Sequence, residues 1–397
     1  MPGTGYTSMK KQTKSVRIQQ KRSSSNEHSV PVYLTSSFLF ESAEQMKEAF
    51  DETIEHDIYS RYSNPNTNEF VNKVCALEGA EAGYAMASGM GAIFSTLAAL
   101  LSSGDEILSI RSVFGATHTV FTKILPKWTI HTRYVSCTNV NEWEKAITSK
   151  TKLFYIETPT NPGLELVDLK AAADFCKKHN LLLVVDNCFA TPVLQTPIDF
   201  GADLVIHSAT KYFDGQGRVL GGVVCGQKEL VHQIYLFCRS TGPSMAPFNA
   251  WVLSKSLETL KLRIEKHCEN ALAVAKLLGK NPEVQKVSYP YLESHPQYAI
   301  AKTQMGAGGG IVTFELTGGY NRAVRFLNAL KMIGISANLG DTRSIVTHPA
   351  SSTHSKLTEE ERQAVNISQS LIRCSVGLEE VEDIYGDIEQ AIIISSK

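Results

Sequence analysis

Ser208-Ala-Thr-Lys211 sets one lysine beside two hydroxyls, directly after the apolar run Ala202-Asp-Leu-Val-Ile206. A lysine at such a strand end can form a Schiff base with an aldehyde cofactor, while the hydroxyls hold a phosphate. A second apolar run, Leu181-Leu-Leu-Val-Val185, ends in Asp186-Asn187. A carboxylate closing one central strand and a lysine closing another are the two groups that pyridoxal 5′-phosphate (PLP) needs, one for its ring nitrogen and one for its aldehyde carbon. Two further motifs fit an anion. Ser88-Gly-Met-Gly91 precedes the helix-like Ala92–Leu101, so it reads either as a backbone cradle at a helix N-terminus or as a glycine turn before a core helix. Tyr59-Ser-Arg61 on an extended segment projects a tyrosine and an arginine to one side, either as a surface pair or as part of a site shared with a neighbouring subunit.

These groups require strands to carry them. Leu153–Ile156, Leu182–Val185, Asp203–Ile206 and Gly221–Val224 are the most legible. Asp168–His179 has helical spacing after the turn Asn161-Pro-Gly163, which makes it a crossover helix. Alternating strands and helices from about residue 70 to 230 predict an α/β fold, with a mainly parallel sheet covered on both faces. Pro243 and Pro247 interrupt that pattern, and Trp251–Lys280 reads as one long helix leaving the sheet. The expected division is an arm over 1–60 that contacts a neighbouring subunit, a large domain over 61–250 and a smaller α/β domain over 251–397.

The chain has 397 residues, of which 43% are hydrophobic and 20% charged, with a net charge of −1. That is an ordinary globular composition, and its charge balance points to neither nucleic acid nor an anionic membrane as partner. Eight cysteines are scattered with no C-x-x-C, which fits reduced thiols in a cytoplasmic enzyme and argues against a zinc site. Lys10, Lys11, Lys14, Arg17, Lys21 and Arg22 precede the first acid, Glu27, with no apolar core between them. A flexible basic arm is therefore expected rather than a signal peptide. His348 and His354 lack cysteine or carboxylate companions, so no metal is assigned to them. Gly306–Gly310 precedes a strand rather than a helix, which does not suit a phosphate loop.

Tyr59-x-Arg61, Ser88-Gly-Met90, Glu157-Thr-Pro-Thr-Asn-Pro162, Asp186-Asn-Cys-Phe-Ala-Thr-Pro192, His207-Ser-Ala-Thr-Lys211, Leu339-Gly-Asp341, His348-Pro-Ala350 and Arg373-Cys-Ser-Val-Gly-Leu-Glu379 occur in this order over nearly the whole chain. Together they resemble the Cys/Met-metabolism PLP enzymes. The resemblance implies the type I, aspartate-aminotransferase-like fold and a homotetramer of dimers that share active sites. It implies Lys211 as the Schiff-base lysine, Asp186 as the partner of the ring nitrogen, and Gly89, Met90, Ser208 and Thr210 as phosphate ligands with Ser88 beside them. Tyr59 and Arg61 join from the neighbour, Asn161 meets the phenolic oxygen, and Arg373 clamps the substrate α-carboxylate with Asn338 nearby on the substrate side.

Departures from the family pattern carry the substrate expectation. Phe114 stands where the lyases usually have a ring-stacking tyrosine; it stacks but donates no proton, which suits an acyl ester that leaves as a stable carboxylate. Ala116 replaces the cysteine of methionine γ-lyases, and Ala337-Asn338 replaces a frequent Glu-Ser. Tyr212–Gly221 and Arg239–Trp251 are similar to enzymes that sulfhydrylate O-succinylhomoserine. The implied reaction is γ-replacement by sulfide on an acyl-homoserine. The alternatives are cystathionine γ-synthase, an O-acetylhomoserine sulfhydrylase, a methionine or cystathionine γ-lyase, and a non-catalytic PLP-fold protein. Arg218 and Arg239 are either contacts for a distal succinyl carboxylate or structural arginines.

Overall fold

The computed structural model describes residues 9–355, 358–363 and 365–396. The first sheet contains β1 (Ala82–Met86), β2 (Glu106–Ile110), β3 (His131–Val135), β4 (Thr151–Glu157), β5 (Leu182–Asp186), β6 (Leu204–Ser208) and β7 (Gly222–Gly226), in the order β1-β7-β6-β5-β4-β2-β3. Strands β6, β5, β4, β2 and β3 run parallel. Only β7 runs against its neighbours, pairing antiparallel with both β1 and β6. Leu183, Val184, Val185, Leu204, Val205 and Ile206 are completely buried, as strands covered on both faces must be.

The crossover from β4 to β5 shows how local sequence makes these units. Its helix, Leu169–His179, starts where the Asp168 side chain accepts the Ala171 N–H at 3.0 Å, and it stops at Asn180 with φ +53°. Leu169, Ala172, Phe175 and Cys176 face the core, while Lys177, Lys178 and His179 fall in the last turn, where cations suit the helix dipole.

A second sheet contains β8 (Val284–Ser288), β9 (Ile311–Leu316), β10 (Gly334–Ile335), β11 (Ile345–Thr347) and β12 (Leu371–Ser375), in the order β10-β11-β12-β9-β8. Its own core gathers Val274, Phe314, Phe326, Ile372, Ile384 and Ile388. The single helix predicted over Trp251–Lys280 is two, Pro247–Leu257 and Leu260–Leu278. At the break, the Ser256 carbonyl accepts from Thr259 N at 3.2 Å and from Arg263 Nη2 at 3.0 Å, which satisfies the end of the first helix.

Residues 9–60, expected to form an arm with a flexible basic start, are held to their own chain at several points. They carry helices Lys11–Arg17 and Ala43–Phe50 and are fastened to their own chain: Gln20 N donates to Glu69 Oε2 at 2.9 Å, Trp251 Nε1 donates to the Val30 carbonyl at 2.9 Å, and Asn66 Nδ2 donates to the Pro31 carbonyl at 2.8 Å. The first eight residues of the expected arm lie outside the described residues. Among the described residues, no helix is long and apolar enough to cross a membrane.

Candidate active site

The carboxyl ends of β4, β5 and β6 present Glu157, Asp186 and Ser208 side by side, and the second sheet closes over them with Arg373 on β12 and Asn338 between β10 and β11. Crevices outside the carboxyl ends of parallel strands are where α/β sheets bind ligands. Lys211 sits in the turn after β6, its amine donating to Asn338 Oδ1 at 2.6 Å. Burial lowers its pKa below the ordinary lysine range, the Cys188 thiol opposes that, and the Arg373 charge adds to the lowering. Gly340, at φ +77°, lets the Asn338 loop lie against that turn, since a Cβ there would stand 2.8 Å from Tyr212 N.

Asp186 is 8% exposed. Its Oδ1 accepts the Cys188 N–H at 3.0 Å and its Oδ2 accepts the Tyr155 hydroxyl at 3.3 Å. Burial pushes its pKa up, against these donors and the nearby His207. A protonated ring nitrogen beside it would supply the cation that such a buried carboxylate requires.

Arg373 is the group in the crevice best suited to receive an anion. It is 2% exposed; Nη1 donates to Asn161 Oδ1 at 2.9 Å, and Nη2 donates to the carbonyls of Asn338 at 3.0 Å and Ala337 at 3.4 Å. Its Nε has no hydrogen-bond partner, and among the described residues no carboxylate lies within ion-pairing distance. Burial lowers its pKa to about 10. A buried guanidinium held only by neutral oxygens is costly until an anion joins it, and a carboxylate matches its planar fork.

The other end of the crevice is made of backbone. Ser88 caps the helix Gly89–Leu100, its Oγ accepting the Gly91 N–H at 3.1 Å, which leaves the N–H groups of Gly89 and Met90 in the first turn for an anion. A Cβ on Gly89 would stand 2.6 Å from the Ser208 Cβ, and one on Gly222 would stand 2.0 Å from the Ser88 carbonyl oxygen. Only glycines allow this close approach. The cradle, the lysine, the buried carboxylate and the unpaired guanidinium together fit PLP with an amino acid beside it.

The remaining sequence candidates fall differently. Thr210 Oγ1 donates to the Gly221 carbonyl at 3.3 Å and accepts the Gly221 N–H at 3.1 Å. Phe114 is half-buried and its N–H donates to Glu157 Oε2 at 2.9 Å. Met90 is half-buried in the first turn beside Gly89. Tyr59 is 40% exposed, and the Arg61 guanidinium lies 5.2 Å from its ring and donates to the Arg239 carbonyl. Neither makes a hydrogen bond to Ser88 or Ser208 of its own chain. Arg218 is held by Asp214, Nε to Oδ1 at 3.0 Å, and donates through Nη2 to Ser256 Oγ at 2.6 Å. Arg239 pairs with Glu52 at 2.8 Å. Each arginine is therefore engaged by an acid of its own chain, Asp214 for Arg218 and Glu52 for Arg239. His348 meets Ser351 Oγ and the Gln369 carbonyl, and His354 meets Thr353 Oγ1.

Sequence reasoning gave no role to Glu157, although its place in strand register with Asp186 brings it to the site. The Cys/Met metabolism PLP-dependent enzyme family matches residues 12–393. The chain belongs to this family. It is a PLP-dependent enzyme of the type I fold. It is 43% identical over 380 residues to O-succinylhomoserine sulfhydrylase of Pseudomonas aeruginosa, covering 96% of this chain and 94% of the relative. It is 43% identical over 366 residues to L-methionine gamma-lyase of Fusobacterium nucleatum, covering 91% and 93%. Among solved structures, a Campylobacter jejuni chain assigned as an O-acetylhomoserine (thiol)-lyase, which carries a pyridoxyl-lysine monophosphate, superposes with a TM-score of 0.94. It is 32% identical, over 97% of this chain and 100% of that one.

Proposed function

We propose that this PLP enzyme catalyses γ-replacement on an O-acylated homoserine, with O-succinyl-L-homoserine and sulfide giving L-homocysteine and succinate, as a step of methionine biosynthesis in the cytoplasm. When bound, PLP supplies the electron sink that lets protons leave Cα and Cβ. The rest is the chain's own work. Arg373, which carries this reading, offers the substrate α-carboxylate a buried guanidinium that no acid among the described residues neutralises and whose Nε has no partner. Lys211, its pKa lowered by burial and its amine within reach of Asn338, takes a proton from Cα and later one from Cβ and returns them in reverse order once sulfide has added. Asp186 faces the ring nitrogen, and Ser88, Gly89, Met90, Ser208 and Thr210 hold the phosphate. Phe114 covers the ring and supplies no proton to the leaving group. Succinate needs none, since it departs from Cγ as an anion with the bonding pair, and sulfide forms the new Cγ–S bond.

In this reading the enzyme is a homotetramer, and Tyr59 and Arg61 reach the phosphate of a neighbouring subunit. The runner-up is γ-elimination from methionine or cystathionine, favoured by the equal identity to the methionine gamma-lyase. The test offers succinyl-, acetyl- and phospho-homoserine with and without sulfide and separates homocysteine from 2-oxobutyrate. A charged hydrogen bond from Arg218 or Arg239 to the distal succinyl carboxylate, in exchange for the acid each now holds, is worth about 1.5–3 kcal/mol, so the acetyl ester should trail in kcat/KM by about 10- to 100-fold. Equal turnover of the two esters refutes the succinyl preference, and efficient methionine cleavage without sulfide refutes the transferase.

A further inference from the structure

Glu157 is a buried acid that the chemistry above does not use. It ends β4 opposite Asp186 in the β4–β5 register and is 5% exposed. Its two oxygens are shared between separate segments: Oε2 accepts the Phe114 N–H at 2.9 Å and Oε1 accepts the Asn161 N–H at 2.9 Å. The Asn161 side chain in turn accepts from Arg373 Nη1 at 2.9 Å. One carboxylate thus anchors the backbone of the residue that covers the ring and of the residue that steadies the α-carboxylate clamp.

The position is an expensive one for a carboxylate. The four residues before it, Leu153–Ile156, are completely buried, and burial together with the negative Asp186 pushes the Glu157 pKa well up, while the two amides and Arg373 oppose this. An acid kept against that cost, with both oxygens directed at backbone N–H groups bordering the crevice, is acting on what those amides carry.

We propose that Glu157 is a positioning residue of the PLP site, a two-oxygen clamp that sets Phe114 over the cofactor ring and, through Asn161, sets Arg373 for the substrate carboxylate. The proposal rests on the reading of Phe114 and Arg373 given above. Its consequence is that ring cover and carboxylate affinity are adjusted together by one group that touches neither.

The test compares Glu157→Gln and Glu157→Asp in the full-length enzyme loaded with PLP. Three quantities are read: the visible circular dichroism of the bound cofactor, the rate at which PLP is lost to a scavenging apoenzyme, and KM and kcat separately for the amino acid the enzyme turns over. Glutamine keeps one acceptor and turns an N–H donor toward a backbone N–H, so one anchor is lost. The Gln variant should show at least about a twofold weaker visible dichroism, PLP loss about tenfold faster, and KM raised about five- to tenfold, more than kcat falls. Aspartate, with both acceptors but one methylene shorter, should fall between the parent and the Gln variant. The first two readings need no substrate, so they stand or fall apart from the sulfhydrylase reading. A Gln variant with the parent's dichroism, PLP retention and KM overturns the proposal, even if its Tm drops. If the Gln variant does not fold, an Asp variant equal to the parent in all three does the same.

Discussion

The phosphate end and the substrate end of the crevice are built from different materials. At the phosphate end, Ser88, Gly89 and Gly222 bring backbone to within contact of Ser208, and the helix Gly89–Leu100 directs its first-turn amides there. At the substrate end, Lys211 meets the Asn338 side chain, Arg373 meets the Asn338 backbone carbonyl and the Asn161 side chain, and Glu157 adds its backbone anchors, so one chain of hydrogen bonds runs between the two sheets. A backbone cradle is rigid and indifferent to what else is bound. A chain of hydrogen bonds is coupled, so a change at one member is felt at the others. On the proposed reading, the rigid end would meet the constant group of the cofactor and the coupled end the variable substrate.

The largest effect should come from the substrate end. Lys211→Ala removes the covalent link and the proton carrier together, and kcat should fall by at least about 10³-fold while the circular dichroism of the folded chain is retained. Measurable turnover near the parent level would remove Lys211 from the site.

Next comes pH. His267 lies on the helix Leu260–Leu278, and one ring nitrogen, Nδ1, bonds the Val376 carbonyl at 2.7 Å, just beyond the strand that carries Arg373. Burial lowers its pKa from an ordinary 6.5 to about 4. Between these values the unfolded chain binds the proton and the folded chain does not, so stability present above pH 6.5 is lost as pH falls toward 4, by about 3 kcal/mol. His267→Gln can keep the donor without the titration and should flatten the Tm–pH curve over that window; an unchanged slope would show that His267 does not titrate in this way.

Arg373→Lys should raise KM for the amino acid by about tenfold or more with a smaller change in kcat, because one ammonium cannot serve both the substrate carboxylate and the neutral oxygens now held by a fork. Crossing it with Asn338→Ala should give a non-additive pair if the hydrogen-bond chain is coupled, and simple additivity would break the contrast drawn between the two ends. At the cradle, Gly89→Ala places a Cβ 2.6 Å from the Ser208 Cβ, and the overpacking should weaken PLP affinity by about 10- to 100-fold, or 1–3 kcal/mol. Unchanged PLP affinity would show that the cradle yields rather than holds.

Much of this was legible in the sequence where local rules decide the outcome. Asp168 before an amphipathic run, and apolar strands ending in Asp186 or leading to Lys211, needed only period and position. What was not legible depends on contacts distant in sequence. The break within 251–280 is the local exception: the Thr259 N–H and Arg263 Nη2 turn to the Ser256 carbonyl, which apolar spacing does not register. The contacts of the arm with its own chain were not legible because their partners, Glu69, Asn66 and Trp251, lie outside it. Arg218 and Arg239 were open candidates until Asp214 and Glu52 were seen to engage them. Glu157 looked like one acid in a motif, since only strand register sets it beside Asp186.

The central claim, that this crevice binds PLP through Lys211, can be read directly. The purified enzyme is reduced with borohydride, digested, and the pyridoxyl group located by tandem mass spectrometry. The account predicts that the modification falls on Lys211; its presence on another lysine, or its absence from a protein that carries the visible cofactor band, would contradict it.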